Sequence, residues 1–444
     1  MQYRSFERTS SAGPDRERQA EDDTVDSTPT QPIFPRLSSG PRKMEAEAVA
    51  RHQRGRLQGA MVEAVARHGF GETTLRELVS LAGVSKSTFY EHFKDKQDCF
   101  LATFDDVIQE IDRRVGDAFD RPGDVREKLV AGVRTLMDLA AEEQAAASLV
   151  VIDSLTLGAA AVPHRERASL RFERLIEKAF AESPSPRTAS ALTVRGIVAG
   201  IRNCIYHHLR AGNIDELPAA SEAIVEWMLC FNRPLGETAQ RAAAAARHPA
   251  QRPPAADGDG HGPSSKRERI VCAATRLGFE NGYQALSIPA ISSAAGISNQ
   301  TFYEHFPGKR EAFLAGFNRL AEETMTVVAG AAAAESDAPE AIGAGLRALF
   351  EHIAEDDLFA RLAFFELTMA GPAALDHADR ILGGFTSFFS VDAGAAGADA
   401  VPEVITEAIG GGTWAVIQHE IAAGRRAELP QRAPEIVEFA VAPF

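Results

Sequence analysis

The chain has 444 residues, 45% of them apolar and 25% charged, which is enough for ordinary globular cores in two to four domains. Its net charge of −15 excludes a chain that is basic throughout, so any nucleic-acid role has to be local. Cys99, Cys204, Cys230 and Cys272 stand in no CxxC or CxH spacing, so neither a zinc site nor a disulfide framework is expected. No apolar run reaches the ~20 residues of a membrane span, and no apolar stretch of a secretory signal opens the chain; a cytoplasmic protein is expected.

In chain order, residues 1–47 are rich in Ser, Pro, Arg, Asp and Thr and poor in apolar periodicity. They bury too little surface to offset the entropy of ordering and are read as disordered, with Met1 or Met44 as the start. Over 48–104, Leu57, Met61, Ala64, Val65 and His68 recur at helical spacing and Gly69 stops the helix. Thr74 caps the next helix, with Glu77 completing a capping box, and Leu75, Leu78, Val79 and Ala82 line one face. The "AGVS" turn follows, Ser85 caps a short third helix, and Lys96 begins a fourth. Residues 105–236 read as a helical body. Residues 237–265 read as a Pro-, Gly- and Asp-containing linker, whose alanine run is either linker or a helical extension. The pattern then returns over 266–317, where Ser287 is the cap and Pro289 sits in the first turn, and a second helical body fills 318–444. No run of alternating β-branched residues occurs, so the fold class is all-α in two tandem units.

"STFYEHFKDKQDCF" from Ser87 and "QTFYEHFPGKREAF" from Gln300 mark the duplication. Residues 54–104 match 267–317 without a gap, pairing Gly69 with Gly282, Gly83 with Gly296, Ser85 with Ser298 and Lys96 with Lys309. The similarity resumes after one net deletion. Leu155 and Thr156 then match Leu367 and Thr368, and "HHLRAGNIDELP" from His207 matches "HEIAAGRRAELP" from His419. The whole unit is therefore written twice.

Two short helices joined by a glycine turn make a helix-turn-helix, which is either structural or a reading head whose second helix enters the major groove. The residues suit the head. Lys86, Ser87 and Thr88 in one copy, and Asn299, Gln300 and Thr301 in the other, open the third helix, where base edges are read; Lys suits guanine and Asn or Gln suits adenine. Phe89, Phe93, Phe302 and Phe306 are core by spacing. Tyr90 and Tyr303 can set a hydroxyl on a phosphate. Lys96 and Lys309 place a cation at a helix N-terminus, a conflict that a nearby phosphate would relieve. Residues 51–96 hold eight Lys/Arg against five acids and residues 266–310 hold six against three, so two basic modules stand on an acidic remainder.

"TTLRELVSLAGVSKSTFYEHFKDKQDCF" resembles the N-terminal domain of the tetracycline-repressor (TetR) family, and "LSIPAISSAAGISNQTFYEHFPGKREAF" resembles it equally. The resemblance covers about fifty residues per copy. It implies three-helix DNA-binding domains, each followed by a helical domain for a small ligand and for dimerisation, in a repressor released by ligand. It also implies phosphate contacts at Thr74, Ser85, Tyr90, His92 and Lys96, and at Ser287, Ser298, Tyr303, His305 and Lys309. Base reading falls to Lys86, Ser87, Thr88, Asn299, Gln300 and Thr301. The glycine common early in the third helix is Ser87 in one copy and Gln300 in the other, so backbone approach to DNA differs from the family pattern.

In the bodies, Asp153 stands in an otherwise apolar helix, either orienting a cationic or hydroxylated ligand or held at a solvated edge. Phe364 and Phe365 occupy the second copy's counterpart, as pocket wall or as core. His207 and His419 coincide between copies and read as structural or interface residues. Adjacent His207 and His208 point about 100° apart and form no metal pair. No GxSxG, HExxH, GxGxxG or P-loop occurs, so no enzyme, metal or cofactor is expected. The expected partners are double-stranded DNA and a small ligand. The expected assembly is an intramolecular pseudo-dimer through 193–209 with 219–231 and 404–421 with 434–439, carrying Trp227, Phe231, Trp414 and Phe439; a homodimer is the competing arrangement. The alternative function is a ligand-sequestering or protein-interaction module with decayed heads.

Overall fold

The computed structural model describes residues 46–183, 189–250, 265–367, 374 and 401–443. Residues 1–45, 184–188, 251–264, 368–373, 375–400 and 444 lie outside them. Every regular element among the described residues is a helix, as the all-α reading has it.

In the first head, α1 (Ala46–Glu72), α2 (Leu75–Ala82) and α3 (Lys86–His92) close over Leu57, Met61, Leu78 and Phe89, none of which keeps any exposed surface. Local chemistry sets these boundaries. Gly69 breaks α1 at φ 81°, and Gly83 turns the chain between α2 and α3 at φ 60°, a left-handed conformation that costs a residue with a Cβ. Thr74 caps α2 by accepting the Glu77 N–H at 3.3 Å. The capping box stays half made, because the Glu77 carboxylate turns to His68 Nε2 at 3.0 Å. The second head repeats the plan in α12 (Lys266–Asn281), α13 (Ile288–Ala295) and α14 (Asn299–His305), with Gly296 at φ 64° in the turn.

The first body follows as α4 (Lys96–Phe119), α5 (Val125–Glu142) and α6 (Gln144–Ser148). A π-helical turn (Leu149–Asp153) leads to α7 (Ser154–Thr156), α8 (Val162–Glu182), α9 (Ala191–Ala211) and α10 (Ser221–Cys230). Then α11 (Glu237–Ala245) occupies the alanine run of the segment read as linker. It buries Ala239, Ala242 and Ala243 and packs on the second body, so this part is the helical extension of the two readings. The second body contains α15 (Lys309–Ala333), α16 (Ala338–Glu355), α17 (Asp357–Arg361), a matching π-helical turn (Leu362–Glu366), α18 (Glu403–Ala422) and α19 (Leu429–Val441).

Among the described residues the most extensive helix pair is α9 with α18, one from each body. Glycine lets them touch backbone to backbone. A Cβ on Gly200 would lie 2.5 Å from the Ala408 carbonyl oxygen, and one on Gly412 would lie 2.5 Å from the Gly196 carbonyl oxygen. Beside this seam, Trp227 and Phe231 of the first body meet Phe439 of α19, with ring centroids 6.0 and 5.2 Å away. Trp414 goes elsewhere: it stacks on Phe364 at 4.0 Å inside the second body.

Candidate nucleic-acid interface and ligand cavity

Each head presents the start of its third helix to solvent. Ser85 accepts the Thr88 N–H at 3.0 Å and Ser298 accepts the Thr301 N–H at 3.1 Å, so both serines are N-caps. Lys86, Ser87, Asn299 and Gln300 are exposed, and Thr88 and Thr301 are partly so. Ser87 is also tied back to Ser85, hydroxyl to hydroxyl at 2.6 Å. Tyr90 and Tyr303 are 58% and 59% exposed, large aromatic rings held edge-on against buried Phe89 and Phe302. An aromatic that stays in water at the same place in both copies is an interface feature more than a core one. Thr74 and Ser287 cap α2 and α13, and Ser287 accepts the Ala290 N–H at 3.4 Å. His305 is exposed, while His92 is partly buried with Nε2 3.4 Å from Gln53 Oε1. Arg54 and Arg267, from the basic stretches, lie over Phe93 and Phe306 at 4.7 and 5.0 Å.

The lysines at the fourth helices point inward. Lys96 Nζ donates to the carbonyls of Phe70 and Thr73 at 2.8 Å and of Gly71 at 3.3 Å, and it lies 4.3 Å from the Phe70 ring. Burial pushes its ammonium below the usual lysine range. Lys309 repeats this with Leu286 at 2.8 Å and Tyr283 at 3.4 Å. The N-terminal conflict expected for these cations is therefore relieved inside the protein, by carbonyls that the end of the first helix leaves unpaired.

The sequence reading did not see a matched pair of acids joining head to body. Asp153 ends the first π-helical turn. It takes the Ser148 hydroxyl at 3.2 Å and the Phe70 backbone N–H, and its carboxylate lies against Gly69. Burial pushes this carboxyl up to about 6. Glu366 ends the second turn and accepts the Tyr283 backbone N–H at 2.8 Å beside Gly282. The signal was present in the repeat: carried past the deletion's near side, the register of Gly69 and Gly282 also pairs Asp153 with Glu366. Asp153 thus joins the head to its body and does not line the cavity described next.

That cavity, about 280 Å³, lies in the first body. Its walls are mostly aliphatic and aromatic, with Phe104, Val107 and Ile108 contributed by α4, the helix that Lys96 begins. Arg165, Arg195 and Arg202 stand along it, and Phe365, Gln418 and His419 of the second unit complete its wall. Of the three candidate ligand residues only Phe365 is among the lining; Phe364 is buried under Trp414. Arg195 Nη1 binds Glu166 Oε1 at 2.8 Å and His419 Nδ1 at 2.8 Å, and its Nη2 lies 3.4 Å from Glu173. Burial first and Arg195 second hold the His419 ring below the usual histidine range. His208 instead meets the Cys204 carbonyl at 3.0 Å. Among the described residues, no three His, Cys, Asp or Glu side chains gather as metal ligands, and no helix is long and apolar enough to cross a membrane.

Comparison with known proteins bears on the heads. The family model "Bacterial regulatory proteins, tetR family" matches residues 60–103 and again 270–315. A curated relative, the HTH-type transcriptional activator FasR of Mycolicibacterium smegmatis, is 29% identical over 99 residues, which is 22% of this chain and 45% of the relative. The match thus spans about half of that relative's length. Among solved structures, the regulator FadR of Bacillus subtilis, in complex with stearoyl-CoA, is 16% identical and aligns over 40% of this chain and 97% of its own, at a TM-score of 0.37. A TetR-family regulator of Marinobacter aquaeolei is 24% identical over 40% of this chain and 96% of its own, at a TM-score of 0.34.

Proposed function

The chain belongs to the tetR family of bacterial regulatory proteins, with two units in tandem, and from that premise we propose that it is a repressor released by a small-molecule ligand, reading two unlike half-sites with one chain. The observation that carries this is the unlike chemistry at like positions. Lys86, Ser87 and Thr88 open one exposed third helix, and Asn299, Gln300 and Thr301 open the other. Lysine prefers guanine edges, and Asn or Gln prefers adenine. The exposed Tyr90 and Tyr303, with Thr74, Ser85, His92, Ser287, Ser298 and His305 nearby, would contact phosphates and set the register. The α9–α18 seam supports an intramolecular pair, since it joins the two bodies of one chain.

Ligand response follows from α4. This helix leaves the first head at Lys96 and forms part of the cavity wall at Phe104, Val107 and Ile108. A ligand that fits the cavity better when the heads are off DNA shifts the population to that state, and by linkage it binds the DNA-free protein more tightly.

Footprinting of the chain on its own upstream DNA, with light scattering of the complex, tests the proposal. An asymmetric footprint of two unlike half-sites, bound by one chain of about 48 kDa (47.7 kDa by sequence), is expected. A palindromic footprint bound by two chains overturns it. Deleting the gene should raise a reporter driven by that DNA; a fall instead would assign activation, as the relative's name does for that protein.

A further inference from the structure

This inference rests on the body being a ligand sensor and names the class of ligand. The cavity is an apolar chamber with cationic groups along one part of its wall. Arg195 is committed to Glu166 and Glu173. Arg165 and Arg202 are not: Arg165 donates to the Ser154 carbonyl at 3.2 Å and Arg202 to the Ser169 hydroxyl at 3.4 Å, both neutral acceptors. Among the described residues neither makes an ion pair. The lining also holds two acids, Glu166, which pairs with Arg195, and Glu143, at the junction of α5 and α6.

Two guanidiniums close enough to repel each other, hydrogen-bonded only to neutral oxygens, and with the nearby Glu166 and Glu173 already shared with Arg195, are an arrangement that folding alone disfavours. Burial and the charge of Arg202 push Arg165 down to about 10, and burial lowers Arg202 as well. A guanidinium keeps its proton at neutral pH, so the charge of both still has to be balanced. The second unit does not repeat Arg202 in α18. There the position matching Arg202 is Trp414, which fills its place by stacking on Phe364.

We propose that this cavity takes an amphipathic organic anion, with its carboxylate or phosphate at Arg165 and Arg202, its apolar tail along α4 and α5, and Phe365 and His419 of the second unit closing the wall. The arginine forks suit either oxyanion, while the aliphatic walls hold the tail by ordinary burial. Because the second unit supplies part of the wall, the ligand senses the packing of the two units as well as the position of α4.

Calorimetric titration of the full chain with decanoate, decyl phosphate and decanol tests this, since the three share a tail and differ in head group. Both anions should bind at least about tenfold more tightly than the alcohol, and their ratio identifies the preferred head. Arg165→Gln and Arg202→Gln should each remove most of that preference and leave decanol binding unchanged, while Arg202→Lys keeps part of it. Equal affinity of the wild-type chain for decanoate and decanol overturns the inference, whatever the variants do. The same preparation is assayed for DNA by a mobility-shift salt series. Anion preference without DNA binding defeats the regulator reading alone, and DNA binding without anion preference defeats this inference alone.

Discussion

Lys96 and Asp153 are two charges that act on one turn. The lysine gathers three carbonyls from the end of α1, and the carboxylate receives the Phe70 N–H of the same segment. Removing the ammonium strands those carbonyls, so Lys96→Ala should destabilise the first head by about 1–3 kcal/mol. If the lysine served a phosphate, the slope of log affinity against log salt would fall by about one. The inward geometry predicts instead weaker binding at an unchanged slope, together with a lower melting temperature. For Asp153 the sign follows from its carboxyl being raised from 3.8 to about 6. The folded chain holds this proton more tightly than the unfolded chain, so the group's contribution is full below the unfolded value and is lost as pH rises through about 6. The two-unit difference sets a limit of about 3 kcal/mol. Asp153→Asn keeps an acceptor for Phe70 and cannot ionise. Its melting temperature should exceed that of wild type at pH 8 and converge with it near pH 4; parallel curves across that range would refute the assignment.

At the scale of elements, the decisive contact is α9 on α18. Two helices whose backbones touch have no room for a Cβ at the crossing, and the atoms facing Gly200 and Gly412 include backbone carbonyls that cannot swing aside. Gly200→Leu should therefore drive the helices apart and cost more than an ordinary surface change, by several kcal/mol. A milder probe is Phe439→Ala, which empties the place between Trp227 and Phe231 and should cost about 3–5 kcal/mol. Chemical denaturation measures both. If Gly200→Leu melts as wild type does and its two heads still footprint together, the seam does not hold the units. The α4 helix is the other element with two places, because it starts at the head and lines the cavity; in the proposed ligand response it is the element that would link the two.

Across the whole molecule, two similar units are joined so that their differences matter. One body has the cationic cavity; the matching helix of the other carries Glu407 and Trp414. One head opens with Lys86 and the other with Asn299 and Gln300. If the heads read separately, replacing Asn299 and Gln300 with Lys and Ser should convert the footprint toward two like half-sites. Each altered base position should change by about 1–3 kcal/mol. Unchanged preference at both half-sites would mean that these residues do not read bases. Joining the units also favours their own pairing, since a tether of this length holds the effective concentration near millimolar (~10⁻³ M).

What the sequence by itself determined lies within a few residues of where it is written. Caps at Thr74, Ser85 and Ser298 bond to N–H groups three residues on, and Gly69, Gly83 and Gly296 turn the chain where they stand. Local chemistry of this kind needs no partner from afar, and repetition doubled the signal, so the heads and their exposed residues were legible. The alanine run after Gly236 was ambiguous because alanine favours a helix while the residues beyond it favour a linker; packing on α16 decided it. The inward bonds of Lys96 were not legible for the same reason in reverse: its neighbours in sequence are a helix N-terminus, and its partners lie 23 to 26 residues back. The cavity belongs wholly to tertiary structure. Arg195 and His419 are 224 residues apart in the chain and 2.8 Å apart in space. A chamber is the space left between helices, and its charge depends on which side chains their crossing angles turn inward. Those angles are set by residue volumes at distant contacts such as Gly200 against Ala408, which periodicity along one helix does not encode.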